Sequence, residues 1–293
     1  MITVFAPAGI GEVTQATDLA ATIVEAITAD PDGPLQDGDV LVVTSKIISK
    51  HEGMEHPEGA KPELRRRETV RTVARRLGFA IVATRHGLVQ AAAGIDASNV
   101  TPGTILALPV DPDLSARRLR AAITERTGAR IGIVVSDTAG RAWRLGQTDH
   151  AIGAAGLMVM VDHNGDTDPY GNPLRVTLTA VADELAAAAD LVKGKLTGRP
   201  VAVVRGLSHL VAAADEPGGT ARDLVRPLAD DLFRLGSRES VLLAVLETCG
   251  ADHRYEELVE LDDPAAVVDA LGLEGDRARW VEALLRSAGR WSS

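Results

Sequence analysis

Lysine is rare in this chain, and two of its lysines follow a predicted buried strand. Of 31 basic residues only five are lysine, and Ser45, Lys46 and Lys50 come directly after the apolar run at residues 40–43. Ligands of open α/β sheets collect beyond the carboxyl ends of the strands. An ammonium group on a flexible stem suits a phosphate, and one such ion pair at ~4 Å is worth roughly 4 kcal/mol before desolvation. The segment therefore predicts a phosphate-binding site.

Oxygen-bearing side chains form a second group of candidates. Asp96 and Asn99 lie three residues apart, and Asp137 and Thr138 follow another apolar run, at residues 131–135. Carboxylate and hydroxyl oxygens with no cysteine nearby suit Mg²⁺ or Mn²⁺ held together with substrate phosphates. The pattern predicts a divalent-ion site, although a single aspartate at a strand end is more often a cap or a turn residue. The histidines match no compact zinc-ligand spacing, which argues against zinc.

A glycine-containing turn follows the first predicted strand. Gly9, Ile10, Gly11 and Glu12 could present backbone N–H groups to a phosphate. Thr14 stands at the third glycine position of the dinucleotide fingerprint, and no GxxxxGK[ST] motif occurs. The turn is therefore either a phosphate contact or a simple tight turn, and it predicts neither a Rossmann nor a P-loop fold.

Predicted strands and helices alternate along the chain, which indicates a mixed α/β (α+β) class. Apolar runs predict strands at residues 2–5, 40–43, 79–83, 131–135 and 201–204. Amphipathic patterns predict helices that begin near Asp18 and that cover residues 63–77, 115–125, 182–192 and, as two short helices, 267–285. Residues 52–63 are predicted to form a mobile loop, and residues 162–173 a hairpin connection. We expect a catalytic domain at residues 1–246 and a short helical appendage at residues 247–293.

The composition excludes several classes of protein. With 41 acidic and 31 basic residues the net charge is −10, which argues against nucleic-acid binding. No apolar run approaches the roughly 20 residues that span a bilayer, and no basic region precedes the apolar amino terminus. Cys249 is the one cysteine, which is typical of a reducing compartment. The sequence therefore predicts a cytoplasmic protein that does not bind membranes.

Several segments together resemble the coenzyme F-420-0:L-glutamate ligases, the γ-glutamyl ligases of the deazaflavin coenzyme. They occur in the family's order from Met1 to about Gly236, and the similarity is greatest to the actinobacterial ligase domain without its nitroreductase domain. The matching segments are TSKIISKHEG, HGLVQAAAGIDASNV, SDTAGRAWRLGQTDHAIGAAG, DPYGNPLRVT, AVADELAAAADLVKGK and PVAVVRG.

The resemblance implies a two-lobed α+β fold, a homodimer and a reaction. In that reaction GTP phosphorylates the carboxylate of the deazaflavin precursor, and the amine of L-glutamate then displaces phosphate from the acyl phosphate. Mg²⁺ or Mn²⁺ would assist at one or two sites, and K⁺ is a further candidate ion. The implied catalytic residues are Lys50 and Asp137. The implied ligands are Asp96 and Asp137 for one metal ion and Thr138 for a second; the implied nucleotide contacts are Gly9, Ile10, Gly11, Glu12, Ser45, Lys46, Lys50, Asn99, Lys193 and Lys195.

Departures from the family pattern leave alternatives open. Archaeal members carry glutamine where this chain has Lys195, and a charged lysine cannot ligate a metal ion. Many members carry arginine at the position of Met54, followed by a longer loop. The chain could therefore be a nucleotide-dependent amide ligase that acts on a different acyl acceptor. A non-catalytic nucleotide-binding protein and a Rossmann-type oxidoreductase are the remaining alternatives.

Overall fold

The computed structural model describes residues 1–76 and 78–288. Its strands are β1 (Thr3–Phe5), β2 (Val40–Thr44), β3 (Glu55–Pro57), β4 (Thr69–Arg76), β5 (Phe79–Thr84), β6 (Val89–Ala91), β7 (Thr104–Leu106), β8 (Gly132–Arg141), β9 (Arg144–Ala155), β10 (Val161–Asp162), β11 (Leu178–Thr179) and β12 (Val201–Arg205). Its α-helices are α1 (Leu19–Ala29), α2 (Ser45–His51), α3 (Lys61–Glu68), α4 (Pro112–Thr127), α5 (Val181–Lys193), α6 (Ser237–Thr248), α7 (Tyr255–Leu258), α8 (Pro264–Ala270) and α9 (Gly275–Ala288). The mixed α+β class is confirmed.

The chain divides into two compact units. Unit 1 comprises residues 1–60 and 95–225, and unit 2 comprises residues 61–94 and 226–293. The predicted boundary at residue 246 falls inside α6, so the chain does not divide there. Assignment of catalysis to residues 1–246 stays a prediction, as does the difference between this fold and the Rossmann and P-loop folds.

Unit 1 is built on a sheet in the order β1-β12-β2-β8-β9. Strands β2 and β8 are parallel, and the other neighbours are antiparallel. Val40 and Val42 pack in one cluster with α5, whereas Leu41 and Val43 alternate to the other face and are equally buried. Burial on both faces explains why the strand is a continuous apolar run.

Local sequence signals locate the unit 1 helices that support this sheet. The carboxylate of Asp18 accepts a hydrogen bond from the N–H of Ala21, which confirms the predicted start of α1. Asp111 caps α4 in the same way, Pro112 occupies its first turn, and Gly128 ends it in the left-handed conformation. Helix α4 packs against α1, β8 and β9.

Unit 2 contains the sheet β4-β5-β6 and the helices α3 and α6 to α9. Leu242, Leu246, Leu258, Val267 and Leu285 form its buried core. The two short helices predicted at residues 267–285 are confirmed as α8 and α9, but they share this core with α6 and α7 and so belong to a larger unit. Residues 289–293 of the predicted appendage lie outside the described residues.

The predicted helix at residues 63–77 is wrong over its second half. Helix α3 ends at Glu68, and β4 follows at once and pairs antiparallel with β5. Thr69, Val70, Thr72 and Val73 are β-branched, and such side chains favour the pleated surface of a sheet over a helix. The last predicted residue, Leu77, lies outside the described residues.

One of the two predicted connections contains more regular structure than expected, and the other is confirmed. Residues 52–63 include β3, which pairs with β7, and the beginning of α3. The hairpin predicted around residues 162–173 is confirmed as the antiparallel pair of β10 and β11.

Within residues 1–76 and 78–288 no helix combines the length and the hydropathy needed to cross a membrane.

Candidate active site

The carboxyl end of β2 lies beside the middle of the parallel strand β8, which continues to Arg141, so Asp137 and Thr138 lie within this strand and not after it as predicted. Their register pairs Thr44 with Ser136, and helix α2 starts at the next residue, Ser45. The Ser45 hydroxyl donates a hydrogen bond to Asp137 Oδ1 at 3.1 Å. The fold therefore joins two of the predicted site residues, which are 92 positions apart in the sequence.

A buried ion pair lies beneath Thr44 and Ser136. Lys193, at the end of α5, is 2% exposed and donates to Asp149 Oδ2 at 2.9 Å, Ser136 Oγ at 2.9 Å and Thr44 Oγ1 at 3.3 Å. Three bonds use every proton of an ammonium group. In this arrangement Lys193 has no proton left for a phosphate, so it contributes to the site by holding other residues in place.

Asp149 is the functional candidate that sequence reasoning missed. It is 4% exposed; burial opposes its ionisation, but the charge of Lys193 and hydrogen bonds from Thr138, Lys193 and Ser136 lower the pKa of this carboxyl. In the structure the register of the β8–β9 hairpin places Asp149 opposite Thr138, and this pairing is what marks Asp149 as part of the site. The sequence shows Asp149 only as the residue before His150.

Thr138 is held between two charged groups. Its hydroxyl donates to Asp149 Oδ1 at 2.6 Å and accepts from Lys195 Nζ at 2.6 Å. Lys195 is exposed and follows Gly194, which has a positive φ of 60°. The structure thus brings Lys193 and Lys195 to one cluster, one buried beneath it and one at its surface.

Asp96 and Lys46 form the next part of the cluster. Lys46 Nζ lies 2.6 Å from Asp96 Oδ2 and also contacts Ser98, whose N–H and hydroxyl each donate to Asp96 at 2.8 Å. Burial raises the pKa of Asp96, but hydrogen bonds from Lys46 and Ser98 outweigh burial and leave that pKa below its usual range. Asn99 is exposed and has a left-handed φ of 57°. It lies three residues after Asp96, on the same loop.

Asp137 differs from the other two carboxylates because no cation neutralises it. Burial, and then the negative charges of Asp149 and Asp96, raise the pKa of Asp137 to about 6 against the opposing hydrogen bond from Ser45. Among the described residues no lysine, arginine or histidine nitrogen lies within 4.0 Å of its carboxylate. A carboxylate with like charges around it and no counter-ion is suited to bind a cation.

The cluster suits a divalent ion that has few protein ligands better than an ion that is ligated by protein groups alone. Asp96 and Asp137 supply hard oxygen ligands, which Mg²⁺ and Mn²⁺ prefer. Across the described part of the chain no group of three or more histidine, cysteine or acidic residues is close enough to hold a metal ion. An ion here would take its other ligands from water and phosphate oxygens, as Mg²⁺ commonly does.

A second ion pair joins α2 to the glycine turn. Lys50 Nζ lies 2.5 Å from Glu12 Oε1, and Lys50 is 9% exposed. Lys46 and Lys50 are four residues apart on α2 and therefore lie on the same face of the helix. The helix thus connects the turn to the carboxylate cluster.

The glycine turn itself leaves its backbone accessible. Gly9 has a φ of 90°, and apart from adjacent residues no atom of the described chain lies within 4 Å of the Cβ position of Gly9 or Gly11, whereas the side chain of Ile10 is buried. In residues 1–76 and 78–288 no hydrogen bond uses the N–H groups of these three residues. The turn is therefore free to present them to an anion.

Comparison with known proteins identifies the family of this chain. Residues 57–206 match the family model described as F420-0:Gamma-glutamyl ligase. The chain is 38% identical over 256 residues to the "Coenzyme F420:L-glutamate ligase" of Archaeoglobus fulgidus, which covers 80% of this chain and 96% of the relative. It is 36% identical over 239 residues to the ligase of the same name from Methanopyrus kandleri, which covers 74% of this chain and 91% of the relative. These similarities show that the chain belongs to the F420-0:gamma-glutamyl ligase family.

Proposed function

We propose that this chain joins L-glutamate to the glutamate-free deazaflavin coenzyme F-420, with GTP as the co-substrate and an acyl phosphate as the intermediate. The names of its relatives support the acceptor and the amino acid. The observation that carries the proposal is Asp137, a partly buried carboxylate without a counter-ion beside Ser45 and the Lys46–Asp96 pair. That is the arrangement that a phosphate-bound divalent ion needs.

In the first step a carboxylate oxygen of the acceptor attacks the γ-phosphorus of GTP. The bond between that phosphorus and the β–γ bridging oxygen breaks, and GDP leaves with its electrons. Asp96 and Asp137 would hold Mg²⁺ or Mn²⁺, which when bound neutralises phosphate charge. The ammonium groups of Lys46 and Lys50 add positive charge on the same face of α2. Catalysis of such a step consists mostly of positioning and charge neutralisation.

In the second step the amine of glutamate attacks the acyl carbon. The carbon–oxygen bond to phosphate breaks, and the nitrogen passes one proton to the departing phosphate as the amide forms. Phosphorylation is needed because a free carboxylate is a poor electrophile with a poor leaving group. Asp149 and Lys193 would keep β2 and β8 in register during both steps, since they bind Thr138, Ser136 and Thr44 from below.

A mass-spectrometric assay tests this proposal. Purified protein is incubated with the glutamate-free coenzyme, L-glutamate, Mn²⁺ or Mg²⁺, and either GTP or ATP. We expect the coenzyme to gain the mass of glutamate residues, with release of one phosphate for each amide formed and with a preference for GTP. Omission of glutamate is the matched control, and the absence of any glutamate-dependent mass gain with both metals would contradict the proposal.

A different acyl acceptor is the second candidate, and Met54 favours it. Met54 is buried, its N–H donates to the carbonyl of Ser49, and its carbonyl accepts from the N–H of Ala107. An arginine at this position would carry charge, and a buried methionine cannot replace that charge in binding an acidic substrate. Nucleotide binding without conversion of the deazaflavin would support this candidate. The homodimer, K⁺ binding and cytoplasmic location also remain predictions.

A further inference from the structure

The hydroxyl of Thr138 has two charged partners within hydrogen-bonding distance. Thr138 Oγ1 accepts a hydrogen bond from Lys195 Nζ at 2.6 Å and donates its own proton to Asp149 Oδ1 at 2.6 Å. The resemblance to the family implies that this oxygen is a ligand of a second metal ion. In this chain an ammonium group already lies at that oxygen.

An ammonium at Thr138 disfavours a divalent ion on the same oxygen. Lys195 Nζ is 2.6 Å from Thr138 Oγ1, so an ion bound to that oxygen at about 2.1 Å would lie within about 4.7 Å of the ammonium. The two cations would repel one another, and the uncharged Thr138 cannot compensate for the repulsion. Asp96 also has a lysine at 2.6 Å, but Asp96 carries a negative charge that offsets that lysine.

The nearest carboxylate offers no compensation either. Asp149 is already paired with Lys193 at 2.9 Å, and its two oxygens accept from Ser136, Lys193 and Thr138. Asp137, in contrast, has no cation within 4.0 Å among the described residues. Positive charge is therefore supplied by the protein beside Thr138 and is missing beside Asp137.

We propose that the Lys195 ammonium takes the place of a second divalent ion beside Thr138, so that this chain binds a single ion, at Asp96 and Asp137. The inference rests on the proposed function for the first ion. It goes beyond that function because it assigns Lys195 the role of a fixed monovalent cation at the site. Lys195 would then neutralise phosphate charge, and Thr138 would not ligate a metal ion.

Counting bound Mn²⁺ tests this directly and needs no turnover. The intact protein, Lys195→Gln and Lys195→Arg are dialysed to equilibrium against Mn²⁺ with a non-hydrolysable GTP analogue, and bound metal is counted per chain. Electron paramagnetic resonance of the same samples reports whether two Mn²⁺ ions lie close enough to couple. Lys61→Gln, which removes an exposed lysine in unit 2, is the matched control for the change in net charge.

We expect one Mn²⁺ per chain with an uncoupled spectrum for the intact protein, Lys195→Arg and Lys61→Gln, and a second, coupled Mn²⁺ in Lys195→Gln. Two coupled ions in the intact protein would overturn this inference and leave the proposed ligase function standing. One ion in every variant would also overturn it, since Lys195 would then not be the group that excludes the second ion. No bound Mn²⁺ in any sample would contradict the proposed function as well.

Discussion

Lys193 Nζ lies 2.9 Å from Asp149 Oδ2, and neither side chain is more than 4% exposed. The pair connects the end of helix α5 to strand β9 directly beneath the predicted phosphate site. Removal of one partner from a buried ion pair leaves the other charge without compensation. The pair therefore links the stability of unit 1 to the geometry of its site.

Lys193→Met and Asp149→Asn should each lower the free energy of unfolding by about 3–5 kcal/mol. The double variant should lose less than the sum of the two, because neither charge is then left alone. Urea unfolding of the four proteins measures this coupling. Arg126→Gln, which breaks the exposed pair with Asp18, is the control and should cost at most about 1 kcal/mol. Additive losses would show that the two residues act independently.

Asp137→Asn should lower kcat roughly 10²–10³-fold, the usual effect of losing one group that stabilises developing charge. It should also weaken Mn²⁺ binding, because the amide keeps the shape of the side chain but removes the charge that attracts the ion. Single-turnover assays and Mn²⁺ titrations measure the two effects. Asp269→Asn alters an exposed acid in unit 2 and should change neither. Near-normal kcat in Asp137→Asn would remove this residue from the metal site.

Lys50→Ala should weaken GTP binding by about 1.5–3 kcal/mol, the contribution of a hydrogen bond to a charged group. That range corresponds to roughly 10–150-fold in Kd. Calorimetric titration with GTP measures it, with Lys61→Ala as the matched lysine variant. If Kd is unchanged and only the stability falls, then Lys50 serves the ion pair with Glu12 and not the nucleotide.

Glu68 should make the stability of the protein depend on pH. Burial opposes its ionisation, but hydrogen bonds from Arg85 and Arg67 outweigh burial and hold the pKa of Glu68 below its ordinary value of 4.5. A carboxyl whose pKa is depressed by folding stabilises the folded state above its unfolded pKa. That stabilisation is lost as the pH falls through the folded pKa.

Glu68→Gln should therefore be less stable than the intact protein at pH 7, and the difference should shrink as the pH falls below about 4.5. Thermal unfolding between pH 7 and pH 3 measures it. Glu63→Gln removes an exposed acid of the same helix and is the matched control. A stability difference that stays constant across this range would show that the charge of Glu68 contributes nothing.

The sequence by itself determined the elements that local patterns encode. The apolar run of β2, the cap at Asp18 and the alanine-rich face of α5 are each specified by neighbouring residues, and each was predicted correctly. The lysine pair on α2 and the aspartate that follows the apolar run of β8 could also be chosen from residue type and position alone. The error at residues 69–76 arose because arginines interrupt the pattern of a β-branched strand, although its pairing partner β5 follows it directly in the sequence.

Tertiary structure alone decided what each charged residue faces. The parallel pairing of β2 with β8 places Ser45 beside Asp137, and the β8–β9 register sets Asp149 against Thr138. Burial then separates two lysines that look equivalent in the sequence, Lys193 beneath the strands and Lys195 at the surface. Electrostatic roles depend on distance and desolvation, and neither quantity exists until the chain has folded.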